Sequence, residues 1–231
     1  GTTNVTTLGT IGTGTWQGTP IATAYVADGA ITSAKLAVGA ASITSDAQNN
    51  TVAGTNAGDS FTGTDANENT LFGYDAGTAI TTGDRNVAVG RNALDTNTTG
   101  SWNTAIGTYA LDANTTASSN TGLGYAALYN NTTGENNTAV GRDALDSNTT
   151  GGDNTAVGMD ALQAITTGSG CTAVGSAALL ANTGDNNTAV GRIALTGNTS
   201  GTSNAAFGRT TLYSNTTGSD NSAFGMSALS A

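Results

Sequence analysis

Residues 86–102 read NVAVGRNALDTNTTGSW, and residues 137–153 read NTAVGRDALDSNTTGGD. The same pattern begins again at Asn69, Asn103, Asn120, Asn154, Cys171, Asn187, Asn204 and Asn221. The spacing is 17 residues, except for one 16-residue copy that runs from Cys171 to Asn186. Nine full copies and a tenth cut at Ala231 result, and a weaker relative begins at Asn50 with NTVAG and a spacing of 19. Self-similarity at a fixed period is the signature of a repeat architecture.

Within a copy the positions differ in strictness. The first is Asn in nine of ten copies. The fifth is Gly in all ten: Gly73, Gly90, Gly107, Gly124, Gly141, Gly158, Gly175, Gly191, Gly208 and Gly225. The fourth is always a larger apolar residue, the third is Ala in eight of ten, and the ninth is Leu in nine of ten. A polar stretch, usually Asn-Thr-Thr-Gly, closes the copy.

This pattern describes one coil of a parallel β-solenoid. Asn-Thr-Ala-Val-Gly forms a short strand, and the fixed Gly marks a turn with positive φ or a close approach between coils. Ala-Leu makes a second apolar step, and Asn-Thr-Thr-Gly returns the chain to the next coil, where Asn suits turns. Seventeen residues are too few for a helix pair and fit one solenoid coil. The density of Gly, Thr and Asn also disfavours helices. At about one inter-strand spacing per coil the repeats give a rod roughly 45 Å long, with the position-one asparagines stacked in a hydrogen-bonded ladder. The expected class is all-β, a repetitive β-solenoid or β-roll of 17-residue rungs over residues 69–231, preceded by a transition with a degenerate repeat over 41–68 and a separate segment over 1–40.

Adjacent residues of a strand point to opposite faces. The larger residue at position four is expected to fill the coil, leaving the Ala row at position three on the other side. A free face would be polar and variable. The row Ala88, Ala105, Ala139, Ala156, Ala173 and Ala189 is therefore expected to make dry contacts with another chain. Each coil offers few apolar side chains to its own core, which points the same way. A homo-oligomer follows, with a threefold axis as the most economical arrangement for a fibre.

Composition removes several function classes. The chain has no His and 1 Cys, so a Ser-His-Asp or Cys-His nucleophile, a His metal site and a disulfide framework are all excluded. Six Lys+Arg against 16 Asp+Glu give a net charge of -10, which repels phosphate backbones and argues against nucleic acid. No apolar run is long enough to cross a membrane as a helix. The first residue is Gly1 rather than Met, as expected of a piece of a longer polypeptide.

The repeat N-T-A-V-G-x-x-A-L-x-x-N-T-T-G-x-x resembles arrays in bacteriophage tail fibres and tail-fibre-domain proteins. It is also similar to the N-S-V-A-I-G-x-x-S-x-A repeat of trimeric autotransporter adhesin heads, which are left-handed parallel β-rolls of three chains. The copies here are three residues longer than the usual adhesin 14, with one residue fewer between Asn and Gly. LGTIGTGTWQGTPI (residues 8–21) and VADGAITSAKLAVGA (residues 26–40) resemble segments of tail-fibre shafts. The resemblance implies a homotrimeric structural shaft in a virion, joined on its N-terminal side to other tail or baseplate proteins. It also implies attachment to a glycan or protein receptor of the host surface. A bacterial surface adhesin of the same architecture is the alternative, and an ice-binding solenoid a more distant one. None of these implies catalysis, a cofactor or membrane insertion.

Position six carries long side chains: Arg91, Arg142, Arg192, Arg209, Tyr74 and Tyr125, with Met159 and Met226. Such a stripe can contact a receptor glycan or a neighbouring fibre part, or its stems can simply cover adjacent residues. Asp84, Asp153, Asp185 and Asp220 recur near the coil ends and read as turn formers, since the calcium-binding nonapeptide is absent. A glycan-cleaving pair of carboxylates is not apparent: the two Glu are Glu68 and Glu135, and the Asp recur with the coils. The Asn-Thr-Thr sequons at Asn97, Asn131, Asn148 and Asn215 are products of the repeat. Paired threonines such as Thr98 and Thr99 give each face one Thr row. Cys171 replaces the ladder Asn and reads as a stacked, buried thiol.

Overall fold

The computed structural model describes residues 44–61 and 65–230. Among these it is all-β without a helix. Strand β2 (Thr51–Ala53), β3 (Thr70–Phe72), β4 (Val87–Val89) and the strands that follow, to β12 (Ser222–Phe224), form one sheet in sequence order. The eleven strands from β2 onward are parallel, each paired with the same residues of the next coil, such as Thr138↔Thr155, Ala139↔Ala156 and Val140↔Val157. At about 4.8 Å per step the column rises through roughly 48 Å. The β-solenoid with 17-residue coils is thus observed, and the Asn50 copy is a coil of it, with Thr51 opposite Thr70. Strand β1 (Thr44–Ser45) runs antiparallel to β2 and covers the first edge. The segment 1–40, with its expected shaft elements, lies outside the described residues.

The fixed Gly is explained by the stacking. Gly158 has φ 138°, a region closed to side chains, and a Cβ there would stand 2.7 Å from the carbonyl oxygen of Gly175 in the next coil. Both reasons apply at once, a backbone only Gly adopts and a backbone neighbour that cannot move. The Leu at position nine is less expected. Leu94, Leu145 and Leu162 have φ of 57°, 54° and 52°, an unusual backbone for a bulky residue. The turn they belong to lets the consecutive pair Ala93 and Leu94 both face inward, which an extended strand does not allow.

The direction of the Ala–Val pair is the reverse of the expectation from size. Ala88, Ala105, Ala139, Ala156, Ala173 and Ala189 are 0% exposed within the single chain, so they fill the coil and cannot meet another chain. The position-four residues face outward, with Val89 37%, Leu123 43% and Phe224 70% exposed. Parity supplies the reason. Asn at position one is buried inside, so position three shares its face and position four takes the other. The interior is narrow, because position three faces the inward Ala and Leu of the opposite wall. In most coils only Ala fits there.

Two asparagine ladders complete the core. At position one, Asn137 accepts from the backbone N–H of Asn154 at 3.0 Å, and its Nδ2 donates to the carbonyl of Gly151 at 2.8 Å. At position twelve, Asn148 Nδ2 donates to Asn131 Oδ1 at 2.8 Å and to the same Gly151 carbonyl at 2.9 Å. One glycine carbonyl therefore receives both amides of its coil. These asparagines are fully buried and satisfy backbone groups that would otherwise be costly inside. Burial also removes Asn97, Asn131 and Asn148 as glycosylation acceptors.

Candidate functional surface

Three outward rows run along the column. The first is position four of the sheet, a line of Val, Ile, Leu and Phe. Beside it stands position two, mostly Thr and half-buried. Phe207 and Phe224 show how the apolar row packs with itself, their rings stacked 5.1 Å apart and 3° from parallel. Contiguous apolar rows rarely stay open to water on a soluble monomer.

The second is position six, where all of Tyr74, Arg91, Tyr125, Arg142, Arg192 and Arg209 are exposed. Its members interact along the column rather than standing as separate hooks. The Arg91 guanidinium lies 6.0 Å from the ring centre of Tyr74 and 5.7 Å from that of Tyr109, within cation–π range. Arg142 Nε is 3.4 Å from Asp143, its Nη2 is 3.8 Å from Asp160, and that same Nη2 reaches Met159 Sδ at 3.3 Å. Such exposed pairs contribute little to stability.

Sequence reasoning on position six misses Tyr109 at position seven and Tyr129 at position ten. Tyr109 stands edge-on to Tyr125 and to Tyr129, at 6.1 and 6.0 Å between ring centres and 86° in both cases. A cleft of about 470 Å3 opens beside them, lined by Tyr109, Tyr125, Ala126, Tyr129, Asn130, Asp143 and Asp146. Nearby, burial and then the charge of Asp95 push the carboxyl of Asp112 up to about 6. Burial, with Asp143 beside it, also raises Asp146.

The third row is the Asn-Thr-Thr return. The Thr98, Thr115, Thr132 and Thr149 hydroxyls each donate to the carbonyl of the next coil's threonine at 3.0 to 3.1 Å. This Thr row is spent on the backbone. Asp84 and Asp185, read from sequence as turn formers, instead tie neighbouring coils together, accepting from the N–H groups of Asn67 and Ser169 in the coil before at 2.8 and 2.9 Å. Among the described residues no three His, Cys, Asp or Glu side chains are grouped to hold a metal ion.

Cys171 is buried in the ladder. Its thiol donates to the carbonyl of Gly184 at 3.2 Å and accepts from Asn182 Nδ2 at 3.5 Å. Ile165 stands at position twelve of the coil before, so Asn182 finds no ladder oxygen there and the sulfur takes that role. Burial pushes the Cys171 thiol up from its ordinary value, which leaves it unreactive. No protein-family model, curated protein or solved structure matches the chain.

Proposed function

We propose that the chain is the structural shaft of a homotrimeric tail fibre, which carries a virion to the surface of its host cell. The observation that supports this reading is the outward apolar row of position four, running the length of a parallel sheet. It offers each copy a continuous strip of Val, Ile, Leu and Phe to bury against two others. The coil beneath contributes mainly one Leu and two Ala to its own core, so association adds apolar burial that the single chain lacks. The interface is assigned to position four rather than to the alanines. Function is mechanical: stacked coils set length and stiffness, position six is displayed, and other tail or baseplate proteins join on the N-terminal side. A bacterial surface adhesin would use the same shaft in the same way.

Light scattering on a size column, with negative-stain images of the same peak, tests the assembly. A mass of three 22.5 kDa chains and rod-shaped particles are expected, and a single-chain mass would overturn the trimer. Adsorption of labelled rods to candidate host cells then tests attachment.

The pairing of the half-buried Thr row at position two with the Val row at position four favours one second reading. A regular, outward Thr and Val grid on a parallel sheet is a surface that can order water, as an ice-binding solenoid requires. That reading predicts a monomer with measurable thermal hysteresis, and the fibre reading predicts a trimer with none.

A further inference from the structure

The tyrosine cleft arises where the repeat changes three columns at once. In the column of position seven, Ala126 follows Tyr109 and precedes Asp143, so a small floor lies between a ring on one side and a carboxylate on the other. Tyr125 at position six and Tyr129 at position ten rise on its flanks, and Asn130 and Asp146 complete the lining. Tyr109 and Asp143 lie two coils apart, about 10 Å along the column. Three consecutive coils thus build one concave site within the size range of small-ligand pockets; the groove between positions seven and ten opens again beside Ile193, Thr210 and Tyr213, but with one ring and no carboxylate.

The lining has a definite electrostatic character. Three tyrosine rings and two carboxylates line the cleft together. No basic side chain lines the cleft. Asp143 is approached from outside by Arg142 at 3.4 Å, whereas Asp146 has no ion-pair partner among the described residues. A neutral ligand would leave that charge without a partner beside the rings. A cation would be attracted by rings and carboxylates together. The same column already holds a cation in this way, with Arg91 against Tyr74 and against Tyr109.

We propose that this cleft binds a small organic cation of the quaternary-ammonium type, seated against Tyr109, Tyr125 and Tyr129 and balanced by Asp143 and Asp146. The site goes beyond the shaft function and does not depend on the number of chains. Its test is choline titrated into the full chain in its native assembly, followed by ligand-observed NMR. The comparison ligand is 3,3-dimethylbutan-1-ol, which has the same shape with carbon in place of the charged nitrogen. Choline is expected to bind saturably and the neutral isostere about tenfold more weakly, the share a partly desolvated cation–π contact supplies. Tyr129→Ala and the isosteric Asp146→Asn should each weaken choline by about threefold or more, while Tyr213→Ala, far along the column, should not. Circular-dichroism melts of each variant check the fold, and Asp146→Asn alone decides if Tyr129→Ala unfolds. Absence of saturable choline binding would overturn the proposal. So would equal binding of the neutral isostere or of a methyl glucoside, or an equal loss in Tyr213→Ala.

Discussion

The coils that begin at Asn50 and Asn69 enclose the same space as the later coils with a different set of side chains. From Asn86 onward, position nine is Leu and position three is Ala, apart from Gly122. In the first two coils position nine is Gly58 or Gly77. Position three is then Val52 or Leu71, and position twelve is Phe61 or Ile80. A Cβ on Gly77 would stand 2.8 Å from Ile80 Cδ1 and 2.9 Å from Leu71 Cδ2, and one on Gly58 would stand 2.9 Å from the Phe61 ring. Volume has been moved across the coil, from one wall to the other. The fold therefore specifies the filling of a cross-section rather than one residue at each position, as volume-conserving core swaps in general allow.

An apolar residue at position twelve interrupts the second ladder, in a coil with the exchange (Ile80) and in one without it (Ile165, beside Leu162 and Ala156). Ile80 and Ile165 stand where other coils place the second ladder Asn. Under Ile165 the Oδ1 of Asn148 is buried without a donor. The position-one ladder continues past both isoleucines, since Asn86 N–H donates to Asn69 Oδ1 at 2.9 Å and Cys171 N–H to Asn154 Oδ1 at 2.9 Å. The position-one ladder is interrupted in its turn at Cys171, where the next amide, Asn187 Nδ2, donates to Asn182 Oδ1 at 3.0 Å.

Leu71→Ala should have the largest effect. Gly77 cannot fill the space, so a loss of about 2–5 kcal/mol is expected in denaturant melts, the range for large-to-small core changes. Adding Gly77→Leu should recover more than about 1 kcal/mol of it, because the pair would then match the later coils. Strict additivity would refute the volume exchange. In the converse direction, Ala139→Leu should overpack a coil that already holds Leu145, at a cost of about 1–3 kcal/mol.

Next in size is Asn137→Ala. It leaves the N–H of Asn154 without its acceptor and deprives the Gly151 carbonyl of one donor. About 1–3 kcal/mol should be lost, and the amide of Asn154 should exchange faster with solvent. Replacing Asn148, whose oxygen already lacks a donor, should cost less than replacing Asn131.

The smallest effect concerns pH. The carboxyl of Asp112 is raised to about 6 in the fold, by burial and then by Asp95, so it is deprotonated at a lower pH in the unfolded chain. Its contribution is fully present below the unfolded value near 4 and is lost as pH rises through about 6. Asp112→Asn should therefore flatten the fall in stability between pH 4 and 6 and raise stability at pH 7 by about 1 kcal/mol, once solvent screening is allowed for.

Much of the architecture is written in the repeat. The period gives the coil, the fixed Gly gives the close approach between coils, and the Asn at position one gives a ladder. The orientation of Ala139 and Val140 is also written there, but only to a reading that follows parity from the buried Asn137. Size alone sends the larger residue of the pair inward, and the narrow bore set by the opposite Ala and Leu reverses that. The tyrosine cleft is harder to read. Tyr109, Tyr125 and Tyr129 sit at positions seven, six and ten, and no single column brings them together. Only the turn between positions six and ten does so, with its left-handed Tyr109, Leu111, Ala126 and Leu128.

If the outward apolar row joins the chains, charging it should separate them. The double variant Val140→Glu/Val157→Glu places two charges on the outside of the sheet, where a lone coil can solvate them. Measured by light scattering beside the unaltered chain, it should run as a single 22.5 kDa chain with unchanged β circular dichroism, while the unaltered chain runs at three times that mass. A variant that kept the three-chain mass, or one that lost its β structure, would contradict the outward placement of this row and its role between chains.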